Sequence, residues 1–266
     1  MPAVEAPSDL VSLLVLALVQ GVTEFLPVSS DGHLVLTQNW LGLEGPHLSI
    51  DVALHLGTLG AVLAVFHRDL VAVLRRALRG ERRELGLLLL GSVPAAVVGL
   101  GLEDFFERLF ESGRVAALGL FVTAAFLLVG ERARRRAQAK QTEERVLDWR
   151  DALWIGAMQA LAILPGVSRS GTTIATALAR GIPPSDAARF SFLLSIPAVG
   201  GAVLLRVPGL IEDNGFDANL LVAIVVTFAV GVVALRILLA FLGRGAFLWC
   251  ATYCLLLGTT ALYLLR

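Results

Sequence analysis

The sequence predicts an all-α polytopic membrane protein with an inverted-topology repeat: six transmembrane helices plus two re-entrant helix pairs. Three observations carry this: long apolar runs, arginines confined to a few segments, and a polar motif that occurs twice between short apolar stretches. Of the 266 residues 56% are hydrophobic, where a soluble domain would have about 45–50%. Residues 49–66, 85–102, 114–130, 187–205, 219–239 and 245–265 are each long enough, as helices, to cross a ~30 Å hydrocarbon core. Only helices or closed barrels satisfy their backbone there, and these runs lack the two-residue alternation of a barrel strand.

The formal net charge of zero hides an asymmetry. No Lys or Arg precedes Arg68; the stretch 67–83 then carries Arg68, Arg75, Arg76, Arg79, Arg82 and Arg83. A second basic stretch, 131–150, holds Arg132, Arg134, Arg135, Arg136, Lys140, Arg145 and Arg150. Basic loops stay cytoplasmic, and two spans separate these, so both can lie inside. The segment between those spans holds Glu103, Asp104, Glu107 and Glu111 and reads as an outside loop. The turn 207–218, with Glu212, Asp213 and Asp217, is also expected outside, and Arg236 and Arg244 flank an inside turn. Both chain ends are then outside. The basic stretches set topology, and no nucleic-acid partner is expected. A cleaved signal peptide is not expected either, because Glu5 and Asp9 stand where a positive n-region would be. Cys250 and Cys254, four apart on the last span, read as small packing residues.

Two regions are too short or too broken to span. Residues 10–26 are apolar, then Pro27-Val28-Ser29-Ser30-Asp31-Gly32-His33 leads into a short stretch to Leu43. Residues 151–164 end at Pro165-Gly166-Val167-Ser168-Arg169-Ser170-Gly171-Thr172-Thr173, and a short stretch follows to Arg180. Each reads as helix, polar loop, half-helix. Val-Ser-Ser-Asp-Gly at 28–32 matches Val-Ser-Arg-Ser-Gly at 167–171, and Gln20 and Gln159 stand at similar distances before the prolines. Three spans follow each copy, so the second copy enters from the opposite side, with the two tips meeting near mid-membrane. The expectation is one membrane domain over 1–266, with repeat one at about 8–130 and repeat two at about 150–266.

Ionisable groups inside a membrane are expensive and point to function. Glu24 and Gln20, four apart, share a helix face. With Ser29, Ser30 and His33 nearby, they supply the parts of an activated nucleophile or an acid–base pair. The plain alternative is a helix end with Ser and Asp as capping groups. In the second loop, Arg169 with Ser168, Ser170, Thr172 and Thr173 opens a helix, where free N–H groups and the dipole favour an anion. Arginine adds a forked donor suited to phosphate oxygens, and Gly166 and Gly171 permit close backbone approach. An Arg169–Glu24 ion pair that pins the tips together is a second reading, compatible with the first. A carboxylate, hydroxyls, an imidazole and an anion clamp are what phosphoryl transfer needs, and the membrane points to a lipid carrying the phosphate.

Gln20 with Glu24-Phe25-Leu26-Pro27-Val28-Ser29-Ser30-Asp31-Gly32-His33-Leu34, and Pro165-Gly166-Val167-Ser168-Arg169-Ser170-Gly171, resemble the two signature motifs of the undecaprenyl-diphosphate phosphatases, also called bacitracin-resistance proteins. The resemblance covers nearly the whole chain. It implies removal of the terminal phosphate of undecaprenyl pyrophosphate at the outer face of the bacterial inner membrane, which recycles the lipid carrier of cell-wall synthesis and confers bacitracin resistance. It also implies the two re-entrant pairs, Glu24, Ser30, His33 and Arg169 at the centre of the site, and phosphate binding by Ser29, Ser168, Ser170, Gly171 and Thr173. A divalent cation, Mg²⁺ or Ca²⁺, is implied, with Glu24 as ligand and Gln20 adjacent; Gln20 stands where other members have a second Glu.

Where many members have Gln before Leu-Gly in the next span, this chain has His55-Leu56-Gly57. His55 is read as a helix residue facing protein; a polar group near the site is the alternative. His47 and His67 have no assigned role. Ser30 as nucleophile, His33 as nucleophile, and water activated by His33 and Glu24 all remain open. A transporter or flippase of an anionic polyprenyl-phosphate lipid is the rival reading, since broken helices at the midplane also serve transport. Gly91, Ala95, Gly99, Gly200 and Gly201 allow close helix packing, within the chain or in a homodimer.

Overall fold

The computed structural model describes residues 10–43, 48–140, 145–213, 217–242 and 245–265. Glu5, Asp9, His47 and Arg244 lie outside the described residues. The elements are α1 (Leu10–Thr23), α2 (Ser30–Trp40), α3 (Leu48–Val65), α4 (His67–Leu78), α5 (Arg83–Gly101), α6 (Glu103–Phe110), α7 (Gly113–Lys140), α8 (Trp149–Leu161), α9 (Arg169–Ala179), α10 (Pro184–Asp213), α11 (Ala218–Phe241) and α12 (Ala246–Leu264).

Five of these, α5, α7, α10, α11 and α12, are long and apolar enough to cross a membrane; α3 with α4 makes a sixth when that pair, bent by 71°, counts as one span. All six predicted runs fall on these helices. α1 has 14 residues and α8 has 13, about 20 Å of helix each, too short to span. The polar loops at 24–29 and 162–168 follow them, and the half-helices α2 and α9 follow the loops.

Three segments differ from expectation. The basic loop 67–83 contains α4, whose polar and apolar residues separate onto opposite faces: Arg68, Arg75 and Arg76 are exposed while Val73 is buried. The acidic loop at 103–111 contains α6, with Phe106 buried beneath Glu103 and Glu107. The turn expected at 207–218 is helical through Asp213. In the first two, a helical apolar stripe only a turn or two long was hidden among charges.

α1 packs on α11 and α8 on α5; α3 lies against α11 and α10, and α7 against α12 and α9. A buried core joins Phe25 of the first tip to Phe192 of α10 (ring centroids 6.0 Å apart), and Phe192 to Phe66 at the α3–α4 bend (5.7 Å). Contact is close because glycines face the neighbours. A Cβ on Gly156 would fall 2.1 Å from the Gly91 carbonyl oxygen, so these two glycines seat α8 directly on α5 within the chain.

Ion pairs lock the basic end. Arg189 donates to Asp69 and to Glu84 at 2.5 Å each, tying α10 to α4 and α5. Asp148 caps α8 in a capping box with Asp151, and the backbone N–H groups of Asp151 and Arg150 hold the Asp148 carboxyl below the usual aspartate range. Asp151, fully buried, is paired with Arg180 and Arg145.

Candidate active site

Both loops end in the same local device. Ser29 is the N-cap of α2 and accepts a bond from Gly32 N–H (3.3 Å); Ser168 is the N-cap of α9 and accepts one from Gly171 N–H (3.1 Å). Ser29 holds φ 71° and ψ 98°, the one positive-φ non-glycine among the described residues. Such a backbone costs on the order of 1–3 kcal/mol and is found where surrounding structure fixes it for use. In the second loop Gly166 takes the positive φ, at 86°.

The loops touch. A Cβ on Gly32 would lie 2.9 Å from Gly166 Cα, and one on Gly166 would lie 1.9 Å from the Ala116 carbonyl oxygen of α7. Thr123 of α7 holds the second loop from behind: its hydroxyl donates to Gly166 O (2.8 Å) and accepts from Ser168 N–H (2.8 Å).

At the junction sits Glu24, 8% exposed, with its carboxylate shared between the loops. Arg169 Nη2 donates to Oε1 at 2.7 Å; Ser30 Oγ donates to Oε2 at 2.5 Å, and Gln20 Nε2 donates to the same oxygen at 3.2 Å. The Arg169–Glu24 pair therefore exists, and one guanidinium nitrogen is left over: among the described residues Arg169 Nη1 is buried without a hydrogen-bond partner. A buried charge with an idle donor is suited to accept an anion.

Glu24, Ser29, Ser30, Ser168 and Arg169 all line one cavity of about 430 Å³. Residues without a sequence-based assignment to the site join them. Asp31 and Asp51 line the cavity, and His55 reaches in from α3, its Nε2 3.6 Å from Asp31 Oδ1 and 3.8 Å from Glu24 Oε2. His55 is thus a polar group of the site, and the reading of it as a plain helix residue is corrected. Its Nδ1 bonds the Asp51 carbonyl oxygen (2.7 Å), which turns Nε2 toward the carboxylates. Gln159 of α8 also lines the cavity; it is 3% exposed, and both ends of its amide lack partners among the described residues.

Other expected members lie elsewhere. His33 does not line the cavity: Nδ1 bonds the Ser29 carbonyl oxygen (2.6 Å), Nε2 bonds Tyr253 Oη (2.8 Å), and the ring stacks on Tyr253 of α12. Ser170, Gly171 and Thr173 also sit behind it. Ser170 meets Ser168 Oγ at 3.2 Å, Thr173 meets Ser191 Oγ of α10 at 2.5 Å and donates to Arg169 O at 2.7 Å, and Gly171 packs on Pro27 of the first loop. They brace the start of α9 and so the position of Arg169.

Hard oxygen donors suited to Mg²⁺ or Ca²⁺ are present, since Glu24, Asp31 and Asp51 face one cavity. Among the described residues no group of three His, Cys, Asp or Glu converges as a metal cage. The donor set therefore fits a cation that takes one or two carboxylates and draws its other ligands from phosphate and water.

The family model described as bacitracin resistance protein BacA matches residues 13–260. Over 256 residues the chain is 43% identical to the protein named undecaprenyl-diphosphatase from Carboxydothermus hydrogenoformans, covering 94% of this chain and 95% of that one. The undecaprenyl-diphosphatase of Desulforapulum autotrophicum is 39% identical over 264 residues, with 92% and 94% covered. That of Korarchaeum cryptofilum is 37% identical over 270 residues, with 97% and 100% covered. With a family match over most of its length, and with both loops of the site inside it, this chain belongs to the bacitracin resistance protein BacA family.

Proposed function

We propose that the protein is an integral membrane phosphatase that hydrolyses undecaprenyl pyrophosphate to undecaprenyl phosphate and inorganic phosphate, which recycles the lipid carrier of cell-wall synthesis. The observation that carries this is the junction of the two loops: a hydroxyl, its carboxylate acceptor and an arginine with an idle donor line one cavity.

The geometry supports Ser30 as nucleophile and Glu24 as its base. The Ser30 hydroxyl already donates to Glu24, while both ring nitrogens of His33 are engaged outside the cavity. In the first step Ser30 Oγ gives its proton to Glu24 and bonds to the terminal phosphorus. The bridging P–O bond breaks, and undecaprenyl phosphate leaves. Water then attacks the phosphoserine, and Ser30 Oγ departs with the proton held by Glu24. Arg169 stabilises charge on the phosphoryl oxygens throughout, and Gln20 keeps the Glu24 carboxylate in place. Ser29 and Ser168 set the loop backbones that present Ser30 and Arg169; Ser170, Gly171 and Thr173 brace the latter.

The same reading includes a divalent cation, Mg²⁺ or Ca²⁺, held by Glu24 and Asp31, which when bound would neutralise charge on the pyrophosphate. It places the protein in the bacterial inner membrane, with the basic segments 67–83 and 131–150 inside. The cavity wall formed by Glu103 and Glu107 then faces outward. The reciprocal packing of α1 on α11 and α8 on α5, with matching serine caps on α2 and α9, supports the inverted repeat in one domain. A homodimer remains part of the proposal, although Gly91 is already used within the chain.

The test is phosphate release from undecaprenyl pyrophosphate by purified protein in detergent, with Mg²⁺, Ca²⁺ or EDTA. Turnover by the unmodified protein and its loss in both Ser30→Ala and Arg169→Ala are expected. Binding without release in every arm would favour transport or flipping of the same lipid.

A further inference from the structure

The cavity is larger than the loop junction, and its far part has no role in the chemistry above. It runs between α5 and α10. At the level of Gly91 these helices are shut: a Cβ there would meet Leu194 Cδ1 and the Ala152 carbonyl oxygen at 3.1 Å, and Phe190 at 3.6 Å. Two turns on they have parted. A Cβ on Gly99 would meet only Ile163 Cδ1, at 3.5 Å, and one on Gly201 would meet nothing within 4 Å. Burial follows the same course: Ser191 to Ser195 of α10 are all buried, whereas from Ile196 to Ala202 none is. A proline stands inside each helix where they part, Pro94 and Pro197, and a proline removes a backbone bond and bends its helix. Between Ala95 and Gly201 the opening is walled by alanine, glycine and other apolar side chains, and at its outer end Phe106 and Phe110 of α6 lie beside the ion pairs of Arg206 with Glu103 and Glu107.

Gln159 stands where the polar and apolar parts meet. α8 and the loop after it run beside α5, with Gly156 of α8 against Gly91 and Ile163 of the loop against Gly99, so Gln159 lies between the closed contact and the open one. Gln159 is buried, yet neither Nε2 nor Oε1 of its amide has a partner among the described residues. Buried amides are almost always hydrogen-bonded, and an idle donor and acceptor on a cavity wall indicate a ligand.

We propose that the α5–α10 opening, with Gln159 at its inner end, is the binding site for the lipid-proximal half of the substrate. Gln159 bonds the phosphate that stays on the lipid, and the first isoprene units lie between Gly99 and Gly201. The proposal takes the diphosphate head group from the phosphatase reading and deepens it: specificity for a prenyl tail resides in this wall, separate from the Ser30–Arg169 junction.

Two readouts test it, one independent of turnover. A farnesyl diphosphate carrying a benzophenone on its first isoprene unit is photolysed with the detergent-solubilised protein, and labelled peptides are mapped. Label on α5 and α10, lost in Gly201→Leu, is expected; label spread over other helices, or undiminished in Gly201→Leu, overturns the site. In kinetics, Gly201→Leu and Gly99→Leu should raise KM for farnesyl and undecaprenyl diphosphate about tenfold or more with kcat nearly unchanged, as a methylene-scale misfit does in a fitted apolar pocket. Gln159→Met should raise KM about tenfold, the scale of a hydrogen bond to a charged group, without lowering the melting temperature, because no protein partner loses its bond. Unchanged KM in all three variants overturns the proposal. A drop in melting temperature for Gln159→Met with KM intact makes Gln159 a structural residue and overturns its part. If the unmodified protein labels at this wall but releases no phosphate, the phosphatase reading fails and the tail site stands.

Discussion

The two loop tips share a capping plan and divide the polar groups, although Ser29 holds φ 71° where Ser168 is extended at φ −70°. Each begins with a valine, sets a serine as N-cap, and closes with a glycine whose N–H bonds that serine. One position later they diverge: Ser30 in the first tip, Arg169 in the second. The first tip also carries Glu24, and the second contributes the cation that holds it. Matching caps bring two helix starts together, and the residue after each cap differs: a serine that donates to Glu24 in one tip, an arginine that pairs with it in the other, which the proposed reaction uses as nucleophile and anion clamp. Neither tip is a site alone, because the carboxylate is completed only by bonds from both sides.

The largest expected effects break this division directly. Ser30→Ala removes the attacking oxygen and should lower kcat about a thousandfold or more. Arg169→Ala should cost about a hundred- to a thousandfold in kcat/KM, as loss of an oxyanion-type donor does, and Arg169→Lys should recover only part, since the fork that serves Glu24 and a phosphate together is gone. Both are read from phosphate release at saturating and limiting substrate.

The tips also differ in how tightly they are held. A Cβ on Gly32 would press on backbone, Gly166 Cα at 2.9 Å, whereas one on Gly171 would meet the Ser168 side chain and Pro27 at 3.1–3.2 Å. Gly32→Ala should therefore destabilise by about 1–3 kcal/mol, the usual scale for overpacking, and Gly171→Ala by less, measured by thermal unfolding in detergent. Equal losses would mean that the tips are not docked through Gly32.

Smaller effects are expected outside the junction. Tyr253→Phe takes a hydroxyl from His33 and should leave turnover within about twofold, a change below half a kcal/mol in the barrier. The smallest effect is at the start of α8. The Asp148 carboxyl sits below its ordinary range because backbone N–H groups bond it. Its contribution to stability is therefore present above the ordinary aspartate pKa and is lost as pH falls through the lowered one. Asp148→Ala should lower the melting temperature slightly at neutral pH and match the unmodified protein in acid.

Much of this was legible in the sequence, for physical reasons. A span must be long and apolar, so the six runs show themselves, and a polar loop between apolar stretches stands out against them. Glu24 and Arg169 stand out because ionisable groups are rare at that depth, and Ser30 by its place beside Glu24 in the first loop. The repeat pointed to Gln159 only as a partner of Gln20, without a role. His55 was placed wrongly although Asp51 and Thr58 share its face of α3 at helical spacing; that short polar face in an otherwise apolar helix was the signal that could have found it. His33 lies beside Ser30 in the motif, yet its ring turns toward α12, more than two hundred residues away in sequence; only the packed structure decides that. α4 and α6 were hidden among charges that also mark loops.

In the proposed reaction Ser30 attacks while Arg169 holds the phosphoryl group across the junction. The most direct measurement is acid quenching of the purified protein during turnover of undecaprenyl pyrophosphate labelled in its terminal phosphate, followed by peptide mapping. Labelled phosphoserine at Ser30 is expected, absent from Ser30→Ala and reduced in Arg169→Ala. Label on His33, or full turnover with no labelled protein at any quench time, would contradict it.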